Sequence, residues 1–185
     1  MKTVNDKHPS FQGGDGGRLI KLRKLEPSDL PFLYQWENDA SVWADGSNHN
    51  PLSQADLRDY IASTTGDIYK DGQLRLIIEQ SPITNHQSPI TLGCIDLFDL
   101  DIRNRRAALG MYIAPEYRGK GVGKAALEAL ETYAFTHLNL RVLYAVIATS
   151  NIPCSALYRA AGYTPSTPLS AWTLESDAIL WLKTK

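Results

Sequence analysis

Cysteine and histidine are scarce in this chain. Cys94 and Cys154 are the only two thiols in 185 residues, far apart and each set among apolar neighbours. That excludes a disulfide framework or a CxxC centre and fits buried, reduced thiols. The four histidines, His8, His49, His86 and His137, share no ligand spacing, so no structural metal is expected. Long apolar runs are lacking too. Nothing approaches the roughly 18 apolar residues of a membrane span, and the opening MKTVNDKHPSFQGGDGG has no apolar core of the length a secretory leader needs. A protein of the cytoplasm without a membrane partner is expected. An excess of charge is also absent: 19 Lys and Arg against 20 Asp and Glu leave −1. With no basic block or aromatic-basic stripe, nucleic acid is not an expected partner. A small-molecule or peptide substrate fits this surface better.

What is present suffices for one domain, since 43% of the residues are hydrophobic and a chain of this length buries a sizeable core. Residues 1–17 are polar and glycine-rich and predict a flexible arm; residues 18–185 form the domain. RLIKLRKL (18–25) predicts a strand, and Pro27 or Ser28 opens a helix with Leu30, Leu33, Tyr34 and Trp36 on one broad apolar face. LSQADLRDYIAST (52–64) repeats that pattern as a second helix. QLRLIIEQ (73–80), ITLGCIDLFDL (90–100) and RRAALGMYIAP (105–115) then predict three strands. A helix follows to about Leu138, with Val122, Ala126, Leu127, Leu130, Tyr133 and Ala134 at helical spacing. RVLYAVIATS (141–150) is apolar on both faces, as a covered central strand is. The strand–helix–strand unit predicts a parallel pair with a right-handed crossover. A last helix stops at Gly162, and AILWLK (178–183) makes the final strand.

One stretch carries chemistry, APEYRGKGVGKAALEAL (114–130). A nucleotide P-loop needs GxxxxGK followed by Ser or Thr, but Gly119 and Gly123 are too close and Ala125 follows Lys124. A dinucleotide loop needs its third glycine one place later and an acid near the end of the following strand, where Arg141 to Ser150 stand instead. What fits is RGxGxG, Arg118-Gly119-Lys120-Gly121-Val122-Gly123, between a strand and an amphipathic helix. Glycines let the backbone approach an anion, and the unpaired N–H groups of the helix's first turn then point at it. A tight turn that uses its glycines only for positive φ remains the alternative.

These residues resemble the acetyl-CoA-binding motif of the GNAT superfamily of N-acetyltransferases, [RQ]-x-x-G-x-[GA] at the start of the central helix. A second motif agrees: SNIPCSALYRAAGY resembles the family's N-x-x-[AS]-x-x-x-Y-x-x-x-G-[FY] helix through Asn151, Tyr158, Gly162 and Tyr163, with Ser155 one place after the small-residue position, where Cys154 stands. The likeness spans about residues 18–183. It implies an α/β (α+β) fold with a mixed, mostly antiparallel central sheet, helices on both faces and a β-α-β core for acetyl-CoA, the co-substrate. It implies attack of an amine on the thioester within a ternary complex. The wider pattern looks most like the polyamine (spermidine) acetyltransferase branch, and next like enzymes that acetylate ribosomal-protein N-termini. A CoA-binding sensor module without turnover is the alternative from another class.

The reaction defines what to look for. An alkyl ammonium is neutral only about once in a few thousand molecules at pH 7, a handicap of roughly 4–5 kcal/mol, so a base or a desolvating site is needed. Asp96, Asp99 and Asp101 are the candidates, with Asp96 favoured. Three residues apart on a strand, Asp96 and Asp99 are expected on opposite faces. The resemblance also implies a Glu on the next strand, but that stretch is acid-free from Arg105 to Ile113. By resemblance, Tyr158 is the acid for the leaving thiolate. The resemblance further implies that Met111, Tyr112 and Ile113, with Arg118, Gly119, Lys120, Gly121, Val122, Gly123, Lys124, Asn151 and Tyr158, hold the CoA arm and pyrophosphate. By the same resemblance, Trp36, Glu37 and Trp43, with Asp96 and Asp99, are expected to wall the amine site, where acids beside aromatics suit a cation. By resemblance, the last strands, here around AWTLESDAILWLK, are where family members often pair, which leaves a homo-oligomer open; packing within one subunit explains Trp172 and Trp181 equally well.

Overall fold

The computed structural model describes residues 11–13, 20–43, 50–81, 88–173 and 176–185. Eight strands make one sheet: β1 (Phe11–Gly13), β2 (Ile20–Lys24), β3 (Leu74–Gln80), β4 (Ile90–Asp101), β5 (Arg106–Ile113), β6 (Val142–Ala148), β7 (Thr164–Leu169) and β8 (Ala178–Thr184). Their order across the sheet is β1-β2-β3-β4-β5-β6-β8-β7. Every pairing is antiparallel except β5 with β6, as the crossover requires. The helices are α1 (Leu30–Glu37), α2 (Ala40–Trp43), α3 (Gln54–Ser63), α4 (Ile68–Asp71), α5 (Val122–Thr136) and α6 (Ile152–Ala160).

Strand alternation divides the core between the two faces of the sheet. On one face Leu22, Ile78, Ile95, Leu97, Leu109 and Leu143 meet the buried stripe of α5, Ala126, Leu127, Leu130 and Ala134, together with Tyr158 and Trp181. On the other, Leu33 and Trp36 of α1 and Leu57 and Ile61 of α3 pack on Ile77, Cys94 and Tyr112. Alanines at the contact let α5 lie close to the sheet, and Leu127 and Leu130 are wholly buried; truncating either to alanine would cost about 2–5 kcal/mol. Cys94 is buried and Cys154 partly so, and neither is in a disulfide.

Three elements depart from the sequence-based expectation. Of residues 1–17, read as a flexible arm, Phe11–Gly13 pair with β2 as an edge strand; the remainder of that segment lies outside the described residues. TPSTPL, with two prolines, forms β7, paired only with β8. An edge strand tolerates proline because one side of its backbone needs no ladder. Short α4 is closed by Gly72 at φ 70°, a helix too brief for periodicity to announce. Among the described residues no helix is long and apolar enough to cross a membrane.

Candidate active site

The site begins where two parallel strands part. β5 pairs with β6 only through Arg106–Val142, Ala107–Leu143 and Ala108–Tyr144, after which β6 continues alongside β8 to Ala148. From Leu109 to Ile113 the β6-facing edge of β5 therefore has no strand partner among the described residues. The Ala114 amide donates to Leu92 O on β4 at 2.9 Å. Peptide groups alternate along a strand, so those of Leu109, Met111 and Ile113 face the open side. Buried backbone groups need partners, and this edge offers a row of them to an extended ligand. Arg118 closes the far end, its Nε donating to Ile113 O at 2.8 Å and its guanidinium lying 5.6 Å from the Tyr112 ring centre.

The glycine loop stands at that same end. A 3-10 turn, Pro115–Tyr117, leads to Gly119 at φ 69° and Gly121 at φ 80°, the residue that caps α5. A Cβ at either glycine would meet nothing within 4 Å, so both present bare backbone to open space. The amides of Val122, Gly123 and Lys124, in the first turn of α5, have no acceptor within the helix, and the helix dipole adds positive potential there. Gly123 serves packing instead. A Cβ there would lie 2.9 Å from Leu157 Cδ2 and 3.3 Å from Met111 Cε, so its absence lets α5, α6 and β5 converge. Lys124 lies 3.8 Å from Glu128, and Lys120 Nζ sits 5.9 Å from the Tyr117 ring.

The opposite face of β5 forms an acidic, aromatic floor. Pairing puts Cys94 with Tyr112, Asp96 with Gly110, and Phe98 with Ala108, one row of side chains beneath α1 and α3. Trp36 lies tilted against Tyr112 with ring centres 5.4 Å apart, and the Trp43 indole donates to Glu37 O at 2.9 Å. Between the acids lies Arg75, which the sequence reading had not singled out. Its Nε and Nη2 donate to the two oxygens of Asp96 at 2.8 and 3.1 Å, its Nη1 to Glu37 Oε1 at 2.6 Å, and the guanidinium sits 5.6 Å from the Tyr60 ring.

Two expectations change here. Asp96, favoured as the base, has both carboxylate oxygens engaged by the Arg75 guanidinium. Asp99 was expected to face away from Asp96. Instead β4 bulges between Phe98 and Asp101, Asp99 takes φ 49°, and its carboxylate accepts the Tyr144 hydroxyl. Tyr144 pairs with Ala108, in the row that faces the same side as Asp96, so the bulge brings the two acids onto one face.

With this geometry in place, comparison with known proteins is decisive. A family model described as "Acetyltransferase (GNAT) domain" matches residues 19–164. The chain is a GNAT acetyltransferase. Spermidine N(1)-acetyltransferase from Escherichia coli (strain K12) is 30% identical over 147 residues, covering 78% of this chain and 72% of that protein. The crystal structure of spermidine N-acetyltransferase from Vibrio cholerae in complex with CoA and spermine superposes with TM-score 0.79 at 22% identity, covering 89% of this chain and 95% of that one. A dodecameric structure of the Vibrio cholerae enzyme superposes at 0.73, with 23% identity and coverage of 89% and 93%. This GNAT chain is thus an acetyl-CoA-dependent N-acetyltransferase.

The residues present fit acetyl-CoA. The open edge of β5 matches a pantetheine amide ladder, and the bare loop at Gly119 and Gly121 with the start of α5 matches a pyrophosphate. The remaining GNAT motif lies on α6. Asn151 caps that helix, its Oδ1 accepting from Cys154 N at 3.1 Å. Tyr158 is buried on α6, its ring edge-on to Tyr163 with centroids 5.0 Å apart. Burial holds the Tyr158 phenol well above its ordinary pKa, a neutral donor at any working pH. Arg75 and Tyr144 escaped the sequence reading, though Arg75 left one signal: a lone cation in the apolar run LRLII, at a place where strand alternation points inward.

Proposed function

We propose that this chain acetylates the primary amine of a small cationic acceptor, with spermidine the leading candidate. The supporting observation is the continuity of the site. One open strand edge runs from an anion loop at Gly119–Gly123 to an acidic, aromatic floor at Gly110, with Trp36, Glu37 and Tyr112 beneath the place where the two ends would meet. Likeness to the spermidine acetyltransferase of Escherichia coli supports the same acceptor class.

In this reading acetyl-CoA supplies a thioester carbonyl open to attack by an amine, and the protein supplies the rest. The edge amides of Leu109 to Ile113 bind the extended arm, and one of them offers a hydrogen bond where negative charge develops on the carbonyl oxygen. Val122, Gly123 and Lys124 amides hold the pyrophosphate, with Arg118, Lys120 and Lys124 as cationic neighbours. Asn151 touches the arm from the cap of α6. Glu37, whose Oε1 is on Arg75, draws the ammonium toward the floor, and Trp36 and Trp43 line its path. Tyr158 donates its phenolic proton to the departing sulfur. Subunits associate through the region of β7 and β8, where Trp172 is 61% exposed whereas Trp181 is 1% exposed and belongs to the core.

Thiol release from acetyl-CoA, measured across spermidine, spermine, aminoglycosides and N-terminal peptides, tests the acceptor. Spermidine is expected to give the highest kcat/KM. A peptide outpacing it would move the chain to the protein N-terminal acetyltransferases, and tight CoA binding with no thiol release would mark a sensor module. Tyr158→Phe is expected to lower kcat about 10²-fold, within the range for a lost general acid, with the KM for acetyl-CoA little changed; an unaltered kcat would remove Tyr158 from the acid role.

A further inference from the structure

The acids on the acceptor face are not equivalent. Asp96 and Glu37 share the charge of Arg75. Asp99 makes no ion pair with a cation among the described residues; its partner is the Tyr144 hydroxyl. Both members of this second pair stand at the fork of the sheet. Tyr144 is opposite Ala108, the last residue of β5 that β6 pairs with, and two residues along a strand span about 7 Å. The pair therefore stands next to Leu109, where the open edge begins, and one row from Gly110. Phe98, in that same row, leans over Gly110, its Cε1 3.4 Å from where a Cβ would be, and it is 42% exposed.

The backbone at Asp99 is also unusual. A non-glycine residue in the left-handed region is uncommon and collects at functional positions. At φ 49° within the bulge, Asp99 turns toward the fork, whereas the regular pleat would send it to the opposite face. The other charged groups nearby are engaged with each other: Asp101 with Arg106 at 3.2 Å on the β4–β5 turn, and Asp96 with Arg75 on the adjoining row.

Resting on the acetyltransferase reading, we infer that Asp99 binds the acceptor's reacting ammonium and takes its first proton, with Tyr144 as the positioning residue that holds the carboxylate at the fork. The ammonium gives one proton to Asp99, which is exposed and passes it to water. The neutral amine then attacks the thioester carbonyl carbon; the C–N bond forms, the C–S bond breaks as Tyr158 protonates the departing sulfur, and the second amine proton restores the Tyr158 phenol. Amide, thiol and one released proton balance the step. Tyr144 suits its part because burial and the Asp99 charge raise its pKa to about 12, so it goes on donating through the neutral range. Phe98 gives the carbon chain of the amine an apolar rest beside the anion.

The test uses Asp99→Asn and Tyr144→Phe in the full chain with acetyl-CoA and spermidine, from pH 7 to 9.5. Asparagine tolerates the left-handed backbone and can still accept from Tyr144, so Asp99→Asn removes the charge and keeps the fold. Its kcat/KM for spermidine is expected to fall at least tenfold at pH 7, with the KM for acetyl-CoA within twofold of the parent. The deficit is expected to shrink below threefold at pH 9.5, because solution then supplies the neutral amine. Tyr144→Phe is expected to raise the KM for spermidine severalfold with the same pH trend. An Asp99→Asn enzyme within twofold of the parent at pH 7, or equally impaired at every pH, overturns the inference while the parent's turnover still stands. If the parent acetylates no amine, the acetyltransferase reading fails first and this inference with it.

Discussion

Arg75 binds two carboxylates on one guanidinium, and all three side chains are about one-fifth exposed. Removing the cation would leave Glu37 and Asp96 facing each other without compensation. A fully buried pair broken in this way costs about 3–5 kcal/mol; partial exposure screens the repulsion, so Arg75→Met is expected to lose about 2–3 kcal/mol in urea unfolding. Arg75→Lys keeps the charge but not the two-pronged grip on Asp96 and should fall between them. Equal midpoints for all three proteins would contradict this account. At this scale the loop residues Gly119 to Gly123 were legible in the sequence, because positive φ and bare backbone are demands met within a few contiguous positions. The role of Asp96 was not. Its partner lies 21 positions away and that partner's second carboxylate a further 38, and nothing local says which of 19 cations a given acid will meet.

Among elements, the junctions carry the site more than the elements do. α5 and α6 are ordinary amphipathic helices, but each begins beside the open edge of β5. Gly121 lets the chain turn into α5, and Asn151 turns it from β6 into α6 with its side chain on the Cys154 amide. Asn151→Ala is expected to cost about 1 kcal/mol, a fall of about 2–4 °C in melting temperature for a chain of this size. Asn151→Asp, an equally good cap, should restore it, as thermal unfolding would read directly. A further junction is structural: Arg23 on β2 is gripped by both oxygens of Asp29, at 2.7 and 2.8 Å, and by Glu79 of β3 at 2.6 Å, tying the turn before α1 to the sheet. Helices and central strands were legible from their 3.6 and 2.0 periods. β7 was not, because its prolines oppose a strand everywhere except at an edge, and edge position is set by the rest of the sheet. The bulge at Asp99 was hidden for a similar reason, since a two-against-one register exists only between strands.

Taken whole, the molecule holds several phenols neutral, and that gives its stability a pH dependence. Tyr144 is raised to about 12, and burial pushes Tyr158 and Tyr163 up as well. Unfolded, each would ionise near 10. The folded state thus keeps its protons where the unfolded chain releases them, so the stabilisation is complete below about pH 10 and is lost as pH rises from there through the folded values. Thermal melting is expected to hold from pH 8 to near 10 and drop steeply beyond it; a melting temperature unchanged at pH 11 would refute this. Across the whole chain, the sequence by itself determined the central strands and longer helices, the anion loop and the α6 motif, and through them the GNAT family. Each is written in contiguous residues whose backbone preferences and spacing act locally. Only the tertiary structure decided that β5 and β6 part after Ala108, that Arg75 takes up Asp96 and Glu37, and that Asp99 turns to the fork with Tyr144. Those outcomes depend on which distant groups come within a few ångströms, where charge pairing and strand register are settled by the fold as a whole.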